Sequence, residues 1–258
     1  CCSYCLNDFS EPTCVIIKHN NPCGVSSHKN ILQAFLKAYN SDSLSAYGGI
    51  IAINRSLDSN LAKKISKFFF EVIIAKSINQ KAIKILNKNK NTIIINSSEL
   101  RYDIKKEKKS ALGGLLIQEK NLTKINNKIV KLVSRKKGST KIINDLIFGL
   151  KVCKHVKSNG IVLVKNKQTI GIGAGQMSRV DATLVALMKL NKFNKKLKNF
   201  IAASDAFFPF NDSLKFLYKK HCVAVIQPEG SINDNNAIKY SNKKNKSLYF
   251  VKKRFFKH

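Results

Sequence analysis

Acidic side chains are scarce in this chain: 15 Asp and Glu stand against 47 Lys and Arg, leaving a formal net charge of +32. Long hydrophobic runs are missing too. No apolar stretch reaches the ~18 residues that a membrane-spanning helix needs, and no signal peptide is visible. Of seven cysteines, only Cys2-Ser3-Tyr4-Cys5 has C-x-x-C spacing, and no second such pair follows. That argues against a zinc or redox site there. The other cysteines sit singly or inside apolar runs, which is the usage of a reducing compartment, so a cytoplasmic protein is expected. The chain opens on Cys1 with no recognisable domain start. It is expected to be a piece whose upstream neighbour is absent, with residues 1–13 as the remnant of that segment.

The lopsided charge has two readings. The sharp one is a nucleic-acid partner. The plain one is compositional bias, because Lys, Asn and Ile are over-used on every segment and Lys far outnumbers Arg. A nucleic-acid binder concentrates charge on a patch and uses Arg forks or stacked aromatics. Here the charge is spread, so no specific nucleic acid is expected. Salt-dependent binding to random duplex DNA would favour the sharp reading. An anionic small molecule would suit such a surface.

What is present is a core and a pattern. At 258 residues and 44% apolar content, the chain can form one large domain or two small ones. The organising stretch is Cys14 to Gly24. Val15-Ile16-Ile17 has the composition of a buried strand. It runs into Lys18, His19, two amides, Pro22 and Gly24, read as a tight polar loop of the kind that carries chemistry in α/β proteins. Helical spacing follows over 31–39. Strands are expected at 50–53, 71–75 and 92–95, with helices over roughly 59–70 and 79–88 between them. Residues 97–137 are Lys-rich and broken, with a strand at 114–117, and the seam between two halves is placed there. The second half repeats the grammar. Helices are expected over 140–155, 179–189 and 212–220, and strands at 161–164, 169–172, 200–203, 223–226 and 248–251. The alternation predicts an α/β fold with a sheet covered on both faces. Its units are 14–137 and 138–258. No residue-level repeat is visible.

Four loops have unusual content. The first carries Lys18 and His19. The second carries Asp42 and Gly48-Gly49. The third joins Lys154-His155 through Ser158-Asn159 to the glycine-rich turn Gly171 to Arg179. That turn resembles a phosphate cradle, but it is neither a P-loop nor the dinucleotide fingerprint. The fourth is Ser204 to Asp212, where three Phe residues around Pro209 look like a slot for a flat ring. Gln227 to Ser231 reads as a plain turn, and Arg254 and His258 by default as a frayed tail.

Seven motifs stand in order: KHNNPCG, SDSLSAYGGIIAINR, KHVKSNGIVLV, GIGAGQMSRVDA, SDAFFPFND, IQPEGSINDNNAI and RFFKH. Together, from about residue 10 to residue 258, they resemble the aminoimidazole carboxamide ribonucleotide (AICAR) formyltransferase domain of the bifunctional purine biosynthesis proteins. The resemblance implies two cytidine-deaminase-like α/β/α units in tandem. It also implies transfer of a formyl group from 10-formyltetrahydrofolate to the 5-amino group of AICAR. Zinc deaminases need H-x-E and P-C-x-x-C; here Pro22-Cys23 is followed by Gly-Val-Ser, so no zinc is expected. The amine must lose a proton as it attacks, and His19 suits that role. Lys18 and Asn159 are the candidate donors to the oxyanion. Matched position by position, Asp42, Phe207 and Arg254 fall where AICAR contacts are expected. Arg179, Pro209, Asp212 and His258 fall in the folate-facing part. A homodimer with active sites at its interface is implied. The family's Arg-Tyr-Gly…Asn-Pro-His-Gln clasp and its cyclohydrolase domain are expected upstream of residue 1; Leu100-Arg101-Tyr102, followed by Asp103-Ile104, is not that clasp displaced. Without the clasp, low activity in isolation is expected. A non-catalytic remnant that keeps the fold is the alternative reading.

Overall fold

A computed structural model of the chain describes residues 2–88, 91–98, 106–193 and 197–258. Within residues 2–13, expected from the sequence to be irregular, helix α1 (Cys2–Asn7) forms and only residues 8–12 stay outside helix and strand. Its buried residues Cys2, Cys5 and Leu6 lie at helical spacing. The window is too short for the period to register in the sequence. Strands β1 (Thr13–Lys18) and β2 (Asn21–Ser27) then form a hairpin. The stretch expected as a polar loop is therefore mostly strand. Only His19 and Asn20 turn, at φ 48° and 64°. Two successive positive φ values make the turn whose twist matches its strands. A bulge between Ile16 and Ile17 lies where Pro22 enters the ladder, since Pro has no N–H to contribute.

Helices α2 (Ile31–Ser41) and α3 (Ser43–Ala46) lead to β3 (Gly49–Leu57). Then come α4 (Ser59–Ile65), β4 (Phe70–Ile78), α5 (Gln80–Leu86) and β5 (Ile93–Asn96). Side chains of Asn30, Asp58 and Asn79 cap α2, α4 and α5 by accepting from backbone N–H groups in the first turn. The helix expected to reach residue 70 stops at Ile65, because Phe68 and Phe70 turn inward onto Phe35, with ring centroids 6.0 and 6.2 Å away. Leu100 to Ile104 lie outside the described residues. The strand expected at 114–117 is β7 (Gly114–Glu119), which pairs with β6 (Lys106–Ala111) in a sheet of its own. Short β8 (Lys131–Leu132) precedes α6 (Thr140–Cys153), β9 (Ile161–Lys165), β10 (Gln168–Gly173) and α7 (Arg179–Phe193). The chain closes with β11 (Phe200–Ser204), α8 (Asp212–Lys219), β12 (Cys222–Pro228), α9 (Asp234–Lys243) and β13 (Ser247–Val251). Helix α9 lies between the expected turn at Gln227 to Ser231 and the last strand, where no element was expected. It buries only Ala237 and Ser241, so its sequence lacks an apolar stripe.

One mixed sheet carries the fold, in the order β5-β4-β3-β1-β2-β10-β9-β11-β12-β13-β8. Helices α1 and α6 cover one face through Cys5, Leu6, Leu146 and Leu150. The other helices cover the opposite face in two clusters, one around Phe35 and Phe70, the other around Phe200 and Phe208. The result is a three-layer α/β arrangement. No helix among the described residues is long and apolar enough to cross a membrane.

The sheet order contains a repeat. From the centre outward, β2-β1-β3-β4-β5 and β10-β9-β11-β12-β13 each run antiparallel, antiparallel, parallel, parallel. The halves meet at one backbone pair, Gln168 with Ser26. Residue by residue, the turn His19–Asn20 corresponds to Asn166–Lys167, both with φ above +45° throughout. Lys18 donates to the Tyr47 carbonyl at 2.7 Å, and Lys165 donates to that of Lys198. Gly24 and Gly171 hold the same place after their turns. A methyl on Gly24 would sit 2.0 Å from the Ala38 carbonyl oxygen of α2, and one on Gly171 2.2 Å from that of Ala186 on α7. Part of the glycine-rich stretch is thus helix-to-sheet packing and not a phosphate cradle.

Candidate functional site

The four loops singled out in the sequence converge on one end of the sheet. A chain of hydrogen bonds links the first, third and fourth, and Lys18 reaches the second through the Tyr47 carbonyl. Asn21 at the hairpin tip accepts from the Lys157 N–H through Oδ1 at 2.9 Å. The Lys157 carbonyl accepts from the Gly175 N–H at 2.8 Å. Asn159 Nδ2 donates to the carbonyls of Gln176 and Met177 at 2.9 and 3.1 Å. Asn159 Oδ1 accepts from Arg179 Nη2 at 2.6 Å. Arg179 Nη1 donates to Ser204 Oγ at 3.0 Å and forms an ion pair with Asp205. Asp205 Oδ2 accepts from Ser158 Oγ at 2.5 Å.

The carboxyl-terminal segment is fastened to the same cluster. The Phe255 N–H donates to the Asp205 carbonyl at 2.8 Å, and the Ser158 N–H to the Lys257 carbonyl at 2.9 Å. The Phe255 side chain is fully buried. The segment expected by default as a frayed tail is therefore held in place. It carries the exposed Arg254 guanidinium to 4.8 Å from the Phe207 ring centroid. A cation over the face of an aromatic ring is favourable. The three Phe residues of the fourth loop divide: Phe208 is core, Phe207 stacks under Arg254, and Phe210 is exposed.

Lys18 and His19 sit at the tip of the first hairpin. His19 is exposed. The Lys18 ammonium, already bonded to Tyr47, lies beside Gly48. A methyl there would come within 2.9 Å of Lys18 Nζ and 3.6 Å of Glu71 Oε1, and Gly48 has φ +63°. Glu71 therefore shares this corner, though nothing in its sequence setting marked it. Asp42 stands apart from an open site. It is buried, caps α3 through Ser45 and forms an ion pair with Lys189 at 2.6 Å. Its position after α2 serves the fold, and its oxygens are committed there. Pro209 is exposed, and its carbonyl accepts from Asn233 Nδ2 at 2.8 Å. Asp212 lies in the first turn of α8, 3.1 Å from Lys215. His258 is exposed and lines a cavity of about 210 Å³ with Tyr4, Asn20, Lys120, His155 and Phe256.

Two groups of expected site residues emerge. Asn159, Arg179, Phe207 and Arg254 are tied together through Asp205 and the carboxyl-terminal segment. Lys18 and His19 approach them through Asn21 and Lys157, but they line no described cavity with Phe207 or Arg254. The sequence reading missed Asp205 and Ser158 as the centre of the cluster. The only signal was their place at strand ends. Beside the cluster, Asp8 accepts from His155 Nε2 at 2.6 Å and pairs with Lys154 at 2.7 Å. Burial pushes the His155 imidazole below its usual range, more than the Asp8 carboxylate raises it. Burial would raise the Asp8 carboxyl, but His155 and Lys154 together hold it below the ordinary value. Burial also lowers the Lys257 ammonium.

A family model described as AICARFT/IMPCHase bienzyme matches residues 1–189. The bifunctional purine biosynthesis protein PurH of Buchnera aphidicola subsp. Baizongia pistaciae is 46% identical over 259 residues, covering 98% of this chain and 49% of that protein. PurH of Caldicellulosiruptor saccharolyticus is 44% identical over 254 residues, with the same coverage of 98% and 49%. PurH of Acetivibrio thermocellus is 43% identical over 256 residues, again covering 98% and 49%. The chain spans about half the length of the curated relatives it matches. With its motifs in order on a mixed α/β sheet, the chain belongs to the AICARFT/IMPCHase bienzyme family.

Proposed function

We propose that this chain carries the formyl-transfer half of the family's chemistry, moving a formyl group from 10-formyltetrahydrofolate to the 5-amino group of AICAR. The observation that carries the reading is the hydrogen-bonded convergence of the first, third and fourth loops with the carboxyl-terminal segment. The AICAR amine is a poor nucleophile, because its lone pair is delocalised into the imidazole and carboxamide. His19 takes the amine proton as nitrogen bonds to the formyl carbon. The Lys18 ammonium faces the developing oxyanion. As the bond from the formyl carbon to the folate nitrogen breaks, His19 returns the proton to that nitrogen.

Asn159 holds a narrower place than an oxyanion donor: both of its amide hydrogens go to the Gln176 and Met177 carbonyls. Its role is to hold Arg179, which faces the folate side. Arg254 over Phe207 offers a cation and a flat apolar surface to the nucleotide, while Pro209, Asp212 and His258 border the folate. The reading includes the homodimer, with active sites at its interface, that the family resemblance implies. The test is release of tetrahydrofolate with AICAR as acceptor, followed spectroscopically, together with AICAR binding by calorimetry. His19→Ala is expected to remove about 10²–10⁴-fold of whatever turnover the chain shows, with AICAR still bound. Turnover that survives the change overturns the mechanism. Absence of both turnover and AICAR binding in the unaltered chain overturns the assignment.

A further inference from the structure

The internal repeat relates two cavities. The first, of about 210 Å³, lies between turn residue Asn20, Tyr4 of α1 and Lys154 and His155 after α6, and it contains Phe256 to His258. Exchanging the halves swaps the turn His19–Asn20 for Asn166–Lys167, and the α6–β9 loop for the α1–β1 loop. At the place this exchange reaches there is a second cavity, of about 280 Å³. Phe9, Ser10 and Glu11 of the α1–β1 loop, Lys167 of the turn, and Asn144 and Lys151 of α6 line it. No carboxyl-terminal residue enters it.

Its chemistry is uneven in an informative way. Lys167 is paired with Glu11. Lys151 is half-buried, 5.4 Å from the Phe9 ring centroid, with no hydrogen-bonding or ion-pair partner among the described residues. Burial lowers its basicity. Asp8 and Glu11 oppose that shift, and Lys154 and Lys167 reinforce it. Phe9 and Phe148, with centroids 5.2 Å apart and rings tilted by 47°, give the cavity an aromatic wall. This half-buried ammonium rests only on an aromatic face and keeps its N–H donors free among the described residues, so an anion delivered over that face would engage them.

We propose that this second cavity is a ligand site for a compact organic anion: a carboxylate on a small apolar body, with the carboxylate on Lys151 and the body against the aromatic wall of Phe9 and Phe148. The site shares no residue with the proposed formyl-transfer machinery and does not depend on it. Benzoate and its neutral isostere benzamide are titrated against the full chain by calorimetry. Acetic-anhydride labelling of Lys151, read by mass spectrometry, localises the binding. Benzoate is expected to saturate in the range of about 1 mM for so small a ligand and to protect Lys151 from labelling. Benzamide is expected to bind at least about tenfold more weakly. Lys151→Gln is expected to remove the preference for benzoate while leaving the thermal transition in place. Equal binding of the two probes, no saturable benzoate binding, or a benzoate preference that survives Lys151→Gln each overturns the proposal.

Discussion

Asp205→Ala tests the joint that holds the candidate site together. The Asp205 side chain is 0% exposed and that of its partner Arg179 8%. Removing the carboxylate leaves a guanidinium buried with only Ser204 and Asn159 to receive it, and Ser158 loses its acceptor. Breaking a buried pair from one side costs about 3–5 kcal/mol. In a domain of this size that lowers the thermal midpoint by about 6–20 °C. The chain contains no tryptophan, so the assay is urea and thermal unfolding followed by far-ultraviolet circular dichroism. Replacing both partners with apolar residues, Asp205→Leu with Arg179→Met, is expected to recover at least about 2 kcal/mol of the loss, because no unpaired charge remains. The carboxyl-terminal segment should also be released faster to carboxypeptidase in Asp205→Ala. A single-variant loss under about 1 kcal/mol, or strict additivity in the double variant, refutes the view that this pair is the centre of the cluster.

Gly171→Ala drives a methyl to 2.2 Å from the Ala186 carbonyl oxygen. Helix α7 must move, and a loss of about 3 kcal/mol or more in unfolding free energy is expected; a soluble variant of unchanged stability would contradict the packing role of that glycine. His155 sets a pH dependence. Its folded pKa lies below the ordinary 6.5, chiefly through burial, so the unfolded chain binds more protons between those two values. The stability it contributes is complete above 6.5 and is lost as pH falls through that window. His155→Gln should therefore narrow the difference in urea midpoint between about pH 7.5 and pH 5.5. An unaltered difference would mean that His155 titrates alike in both states.

The fold was legible where side chains report burial directly. Val15 to Ile17, Ile50 to Ile53 and Phe200 to Ala203 are strands because they are apolar runs buried on both faces. The hairpin at His19–Asn20 hid behind its own composition: Asn, Asn, Pro and Gly are turn residues almost everywhere, and only the ladder to β1 makes a strand of them. Helix α9 hid because it lies nearly bare on the surface. In the site, Arg179 and Phe207 were placed by the family resemblance, and Asn159 by its loop just before a strand. Asp205 was not, since the preceding strand says nothing of which buried cation its carboxylate will meet. The repeated grammar of the two halves was legible, but no residue-level repeat was, because the halves share backbone roles more than side chains. Lys18 and Lys165, and Gly24 and Gly171, are the residues where both coincide.

The joint between the halves has a consequence for either half taken alone. Each would lose the one backbone pair, Gln168 with Ser26, and the side-chain contacts around it that join β2 to β10, leaving its innermost strand open along its whole length. A fragment ending before α6 should therefore come out of purification as a self-paired dimer, rebuilding between two molecules the continuity that the intact chain achieves within one.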